Sequence, residues 1–191
     1  MSDELPHGQR FSALRFSQLT PEQKAITDRM VSGPAKRVAG PWNAFLRDPA
    51  LGEILEQLSR YVRFQTMLSE QLYELVVLIA ARHLTAQYPW SAHKPAALRS
   101  GISAAVIDQI EAGKRPDGLT DEQADVHDFC IELLRTRDVS DSTYARMLAR
   151  FGEKGIVQIT VLLGYYCLNS QIMFVDRMPP SQGSVPLKPI P

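Results

Sequence analysis

The chain has 191 residues with 45% apolar content, enough for one domain with a sizeable core. Lysine plus arginine (21) equals aspartate plus glutamate (21), so no basic footprint for nucleic acid or for an anionic membrane surface is present. No uninterrupted apolar run reaches the ~18 residues of a membrane span, and Met1-Ser2-Asp3-Glu4-Leu5-Pro6-His7 lacks the basic and apolar regions of a signal peptide. A cytoplasmic protein is expected.

Residues 1–19 carry no sustained period and are expected to form an extended arm. Thr20-Pro21-Glu22-Gln23 then opens a helix: Thr20 can cap, Pro21 suits the first helical position and Gln23 can close a capping box. It should stop at Ser32-Gly33-Pro34. Gly40 and Pro41 punctuate the segment that follows, so Trp42, Phe45 and Leu46 suit a cavity wall better than a long helix. Asp48-Pro49 starts another helix, with Leu51, Ile54, Leu55, Leu58, Tyr61 and Val62 at three- and four-residue spacing as its apolar face.

Ser69 opens the helix on which the chain centres. Leu72, Leu75, Val76, Ile79, Ala80 and Leu84 should face inward, and Val77 and Leu78 make it apolar nearly all round. Such a helix is central or lies at a subunit interface. One carboxylate, Glu74, sits within the apolar run from Leu72 to Ala81. Tyr88-Pro89-Trp90 then begins a new helix that carries His93 and ends near Ser100-Gly101.

Ser103 caps a short helix ending at Gly113, and Arg115-Pro116-Asp117-Gly118 is a turn by composition. Thr120 and Gln123 form a second capping box, leading a helix through Val126, Phe129, Cys130, Leu133 and Leu134. Ser140 caps another that ends at Phe151-Gly152. The last helix runs from about Gly155 to Val175, and a proline-rich tail occupies 179–191. No segment alternates with period two. The expectation is an all-α, multi-helix bundle forming a single domain over 1–191.

Chemistry concentrates at Glu74 and His93. A carboxyl among apolar residues has its proton affinity set by burial and neighbours. An imidazole near a helix N-terminus is kept neutral and lies beside a natural anion site. Both suit acid–base work. Tyr88 and Trp90 can wall a small-molecule pocket and donate from hydroxyl and indole. Spacing by itself does not show direct contact. With a turn near Ala86-Gln87, the two residues fall about 10 Å out of step along antiparallel helices, at ~1.5 Å per residue. A steep crossing, an early bend or a second subunit would be needed. Cys130 and Cys167 lie in helical apolar patterns and read as buried thiols. No His-Glu-x-x-His, Cys-x-x-Cys, phosphate-binding loop or nucleophile elbow occurs, so neither a metal nor a cofactor is expected.

Glu74, Leu75, Leu78, Ala81, Gln87, Tyr88, Trp90 and His93 together resemble the signature of the carboxymuconolactone decarboxylase family, whose clan includes the alkylhydroperoxidase-D-like proteins. Gly40-Pro41-Trp42-Asn43 with Arg47-Asp48-Pro49, Ser140-Asp141-Ser142-Thr143-Tyr144 and Gly164-Tyr165-Tyr166 agree with it, and the resemblance covers a core at about 38–175. The resemblance implies an alkylhydroperoxidase-D-like bundle that assembles as a homotrimer or homohexamer. It also implies proton-handling roles for Glu74 and His93. The redox branch needs two thiols where this chain has Ala86 and Pro89, so peroxidase chemistry of that kind lacks its thiolate. Pro89 also stands where thiol-less members usually carry Glu. The leading expectation is a cofactor-independent decarboxylase or lyase acting on a small carboxylated lactone or related anion. The alternatives are residual peroxidase activity through Cys130 or Cys167, and a non-catalytic oligomeric binding protein.

Overall fold

The computed structural model describes residues 3–181 and 183–189; residues 1–2, 182 and 190–191 of the expected arm and tail lie outside them. Among the described residues, regular structure is helical apart from one isolated bridge between Glu4 and Arg15. The helices are α1 (Pro21–Ser32), α2 (Trp42–Phe45), α3 (Pro49–Phe64), α4 (Glu70–His83), α5 (Gln87–Arg99), α6 (Ala104–Glu111), α7 (Asp121–Thr136) and α8 (Asp141–Asp176). Their starts follow from local chemistry. Thr20 and Thr120 form complete capping boxes with Gln23 and Gln123, and the side chains of Asp48, Ser69 and Ser103 each accept a backbone N–H of the first turn.

The chain divides into two compact units, residues 1–65 with 171–179 and residues 66–170 with 180–191. In the first unit, α3 packs against α1 and α2. Gly52 faces them so closely that a Cβ there would lie 3.2 Å from the Phe45 carbonyl oxygen. This contact sets the rotation of α3, and it corrects the expected apolar face. Leu55 and Val62 are buried, but Leu51 and Ile54 are 46% and 63% exposed and Tyr61 is also exposed. The buried side includes a carboxylate instead, Glu56, lying between Arg29 and Arg60 at 3.8 and 3.5 Å. The N-terminal segment is an ordered strap. Asp176, itself buried, accepts the backbone N–H groups of Gly8, Arg10 and Phe11 at 2.7, 3.1 and 2.7 Å.

In the second unit α4 is central and packs against α5, α6 and α7. Every residue from Leu72 to Arg82 is buried, as its all-round apolar character requires. The C-terminal segment is held by side chains of α4 and α5. Gln87 both donates to the Leu187 carbonyl at 3.0 Å and accepts the Leu187 N–H at 2.8 Å. Ser91 Oγ accepts the Ser181 N–H at 2.8 Å.

Helix α8 is interrupted at Gly152 (φ 63°, ψ 176°), where the sequence placed a boundary between two helices. By length and composition it could cross a membrane, but half of its apolar window is buried within the protein, as in a core helix.

Two stability predictions follow from the backbone and the interior. The Gly152 conformation is nearly restricted to glycine, and no atom lies within 4 Å of a Cβ placed there. Gly152→Ala should therefore cost about 1–3 kcal/mol through backbone strain alone, measurable by denaturant unfolding. Burial holds the His127 imidazole neutral, with Arg115 and Arg135 adding to the effect against the opposing pull of Asp128. Its folded pKa thus lies below that of the unfolded chain. The contribution is complete above about pH 6.5 and is lost as pH falls through the window below, where only the unfolded chain takes up the proton. The midpoint of thermal unfolding should drop across that window, and His127→Gln should flatten the drop.

Candidate active site

The centre of the second unit holds a hydrogen-bonded chain of four side chains. Glu74 on α4 is fully buried, and its Oε2 accepts from His93 Nδ1 at 2.8 Å. On the other side of the ring, His93 Nε2 meets the Tyr166 hydroxyl of α8 at 3.2 Å. Tyr166 in turn hydrogen-bonds the hydroxyl of Tyr73, the neighbour of Glu74 on α4. The rings pack edge to face: Tyr166 stands at 87° to His93 with centroids 5.2 Å apart, and at 78° to Tyr73 with centroids 6.0 Å apart.

Direct contact between Glu74 and His93 is reached by an early bend, one of the three routes that the spacing left open. The reason is local. Helix α4 ends at His83 and turns through Leu84, Thr85 and Ala86, earlier than expected. Thr85 takes a left-handed conformation (φ 51°), and the Ala86 N–H reaches back to the Ala81 carbonyl at 2.7 Å, a Schellman closure. Glycine or asparagine normally marks that position, and a β-branched residue hides it. Measured from the true helix ends, Glu74 lies about 13 Å and His93 about 9 Å from the turn at ~1.5 Å per residue. The mismatch is about 4–5 Å, within the reach of the two side chains. No steep crossing or second subunit is required.

The bonding pattern assigns the protons. With Glu74 as the carboxylate, which only accepts, and the ring in its neutral form, Nδ1 carries the hydrogen and Nε2 presents its lone pair. Tyr166 must then donate to Nε2, and Tyr73 must donate to Tyr166. The result is a directed chain, Tyr73 to Tyr166 to His93 to Glu74. Tyr73 and Tyr166 are 4% and 6% exposed, while the His93 side chain retains 14% exposure, so His93 is the member most open to a small molecule. Glu74 Oε1 is buried with no hydrogen-bond partner among the described residues, so the His93 bond is the carboxyl's main compensation.

Trp90 is buried in the first turns of α5, with Lys94 Nζ 5.8 Å from its ring centre. Tyr88, one turn from Ser91, is half-buried, and its carbonyl accepts from Ser91 Oγ at 3.0 Å. Tyr73 and Tyr166 were not assigned roles from sequence. The available signals were a tyrosine beside the one carboxylate in the apolar run of α4 and the Gly164-Tyr165-Tyr166 segment. Cys130 is fully buried on α7 and Cys167 half-buried on α8, and burial pushes both thiols up from their ordinary range. Among the described residues no three His, Cys, Asp or Glu side chains converge as a metal site.

The fold is that of the AhpD-like, peroxidase-related proteins. An uncharacterised peroxidase-related protein from Silicibacter sp. TM1040 superimposes with a TM-score of 0.75 at 12% identity, covering 93% of both chains. An uncharacterised peroxidase-related protein from Ralstonia eutropha JMP134, described as an alkylhydroperoxidase AhpD core, gives 0.76 at 13% identity, covering 91% of this chain and 92% of the other. The debrominase Bmp8 gives 0.69 at 12% identity over 91% and 92%. No family model matches the chain, and no curated protein matches it in sequence.

The proton assignment is testable by nitrogen chemical shifts of the histidines. In its neutral form His93 should carry the hydrogen on Nδ1. Glu74→Ala should release it toward the Nε2–H form, since the acceptor fixing the tautomer is gone. A dominant Nε2–H form in the unaltered protein would contradict the chain of donors.

Proposed function

We propose that this protein is an acid–base enzyme needing neither a thiol nor a bound cofactor, a decarboxylase or lyase acting on a small carboxylated lactone or related anion. The observation that carries the reading is the 2.8 Å bond between buried Glu74 and partly open His93, continued through Nε2 to Tyr166. Glu74 holds the ring and stabilises the imidazolium that forms when Nε2 takes a proton. In a decarboxylation the bond to the departing carboxylate breaks and its electron pair enters the conjugated carbonyl system. Nε2 of the imidazolium, having first taken a proton from solvent, then adds that proton to the system directly or with Tyr166 as the relay, and solvent reprotonates the ring. The low exposure of the tyrosines keeps the site dry, which strengthens each of these interactions. Tyr88 and Trp90 are assigned to the substrate-binding side, at the N-terminal turn of α5.

Support for a small cyclic substrate comes from the same fold in the debrominase Bmp8, whose complex with 2,3,4-tribromopyrrole has a TM-score of 0.66 to this chain at 12% identity. Thiol-based peroxide reduction is the weaker reading. Ala86 and Pro89 occupy the thiol positions of the resemblance, and the two cysteines that do occur are held as thiols by burial. The proposal includes a cytoplasmic homotrimer or homohexamer. Exposed apolar positions Val157, Val161 and Leu168 on α8 offer surface for such assembly.

Two variants test the reading against panels of carboxylated lactones and of peroxides. His93→Ala should keep the helical circular dichroism and lower kcat by a factor of about 100 to 10,000, the usual contribution of a positioned acid–base group. A Cys130→Ser, Cys167→Ser double variant should turn over as the parent does. Full turnover by His93→Ala would remove the proposal, and loss of peroxide consumption in the double variant would favour the thiol reading.

A further inference from the structure

A second chemical feature of the same unit lies on the far side of α4. On a helix of 3.6 residues per turn, Ile79 and His83 stand about 140° and 180° around the axis from Glu74. They face a cavity of about 390 Å³ between α4, α6 and α7. That volume falls within the range of small-molecule sites. Its lining has two parts. Ile79, Ile110 and Ile131 supply apolar wall, with Ile79 and Ile110 at 1% and 3% exposure. Arg82, Lys114, Arg115 and Arg135 supply four cations against two carboxylates, Asp128 and Glu132. The cavity thus carries an excess of two positive charges in a chain whose formal net charge is zero.

Not all of these charges are already neutralised by the protein. Arg115 is committed to Asp128 by two bonds of 2.8 and 3.0 Å. The Glu132 carboxylate is turned to the start of α8, where it accepts the Ser140 N–H at 2.8 Å. Lys114 and Arg135 enter no ion pair among the described residues, and both are exposed at the rim. Arg82 is 5% exposed; its Nη1 donates to the Lys188 carbonyl at 2.7 Å, and its buried Nε has no partner. The close partner of this buried guanidinium is a neutral carbonyl; the Glu111 carboxylate acts on it only through space, its own ion pair being with Lys94 at 2.6 Å. His83 and His127 also line the space, and each is held toward its neutral form, so they do not add to the positive excess near neutral pH.

We propose that this cavity binds a small organic carboxylate with an apolar body, the carboxylate at Lys114, Arg135 and Arg82 and the body against Ile79, Ile110 and Ile131. The apolar wall argues for a hydrocarbon or aromatic portion, and guanidinium donors match a planar carboxylate. The site is independent of the Glu74–His93 chemistry, because it opens on the other face of α4 and uses none of those four side chains.

Isothermal titration of the full chain with octanoate tests it, with octylammonium and inorganic phosphate as comparisons. Octanoate should bind saturably at one site per chain, more tightly than either comparison. A Lys114→Ala, Arg135→Ala variant changes only exposed side chains and should weaken binding roughly tenfold or more. Ile131→Trp should abolish binding by filling the cavity. If that variant fails to fold, the Lys114/Arg135 variant alone decides. His93→Ala should leave octanoate affinity unchanged, which separates this cavity from the proposed active site. Absence of saturable octanoate binding would overturn the proposal, as would unchanged affinity in the Lys114/Arg135 variant. Affinity lost in His93→Ala would assign octanoate to the other site and overturn it too. Equal binding of octylammonium or inorganic phosphate would refute the stated ligand class.

Discussion

A carboxylate with no exposed surface is the constraint on which the second unit depends. Removing Glu74 from water costs several kcal/mol unless a donor compensates it. One oxygen meets His93, and the other meets no partner among the described residues. The arrangement is a poor one for stability. Every neighbour from Leu72 to Arg82 is buried, and an apolar residue at position 74 would suit the helix better. What the carboxyl does fix is the ring of His93, taking one nitrogen and leaving the other to Tyr166.

From that bond the rest of the site is ordered by geometry. Helix α5 must return along α4 with His93 level with Glu74, so the turn between them has to be short and of one shape. Thr85 accepts a left-handed conformation that costs a β-branched residue about 1–2 kcal/mol. Tyr166 closes the second nitrogen, and Tyr73 closes Tyr166. Two residues of α4, one of α5 and one of α8 thus meet through side-chain atoms that share one direction of donation. The terminal segment adds a further restraint, since Gln87 and Ser91 hold it against the first turns of α5.

The opposite face of α4 shows a different balance. There the charges are arginine and lysine, the walls are isoleucine, and the enclosed carboxylates are already committed to partners. One helix therefore separates an acid–base network from a cationic cavity. Both rest on α4 being apolar enough to sit in the interior while carrying a few polar side chains that only local partners can satisfy.

Much of this was legible in the residue order. Capping boxes at Thr20 and Thr120, proline at the first turn of α1 and α3, and the apolar run of α4 are local signals with local causes, and the helices begin where they indicate. The glycine break at Gly152 was visible for the same reason. Glu74 and His93 stood out because polar groups in apolar surroundings are rare. The rotation of α3 was not legible, because three-residue spacing cannot tell a face turned to solvent from one pressed on α1; the close approach at Gly52 settles that. Nor could spacing join Glu74 to His93 while the left-handed turn was concealed in a threonine. Tyr166 is 73 positions from His93. Short-range propensities say where helices start and stop, but which side chains share a hydrogen bond across such separations depends on how whole helices pack, and only the tertiary structure decides it.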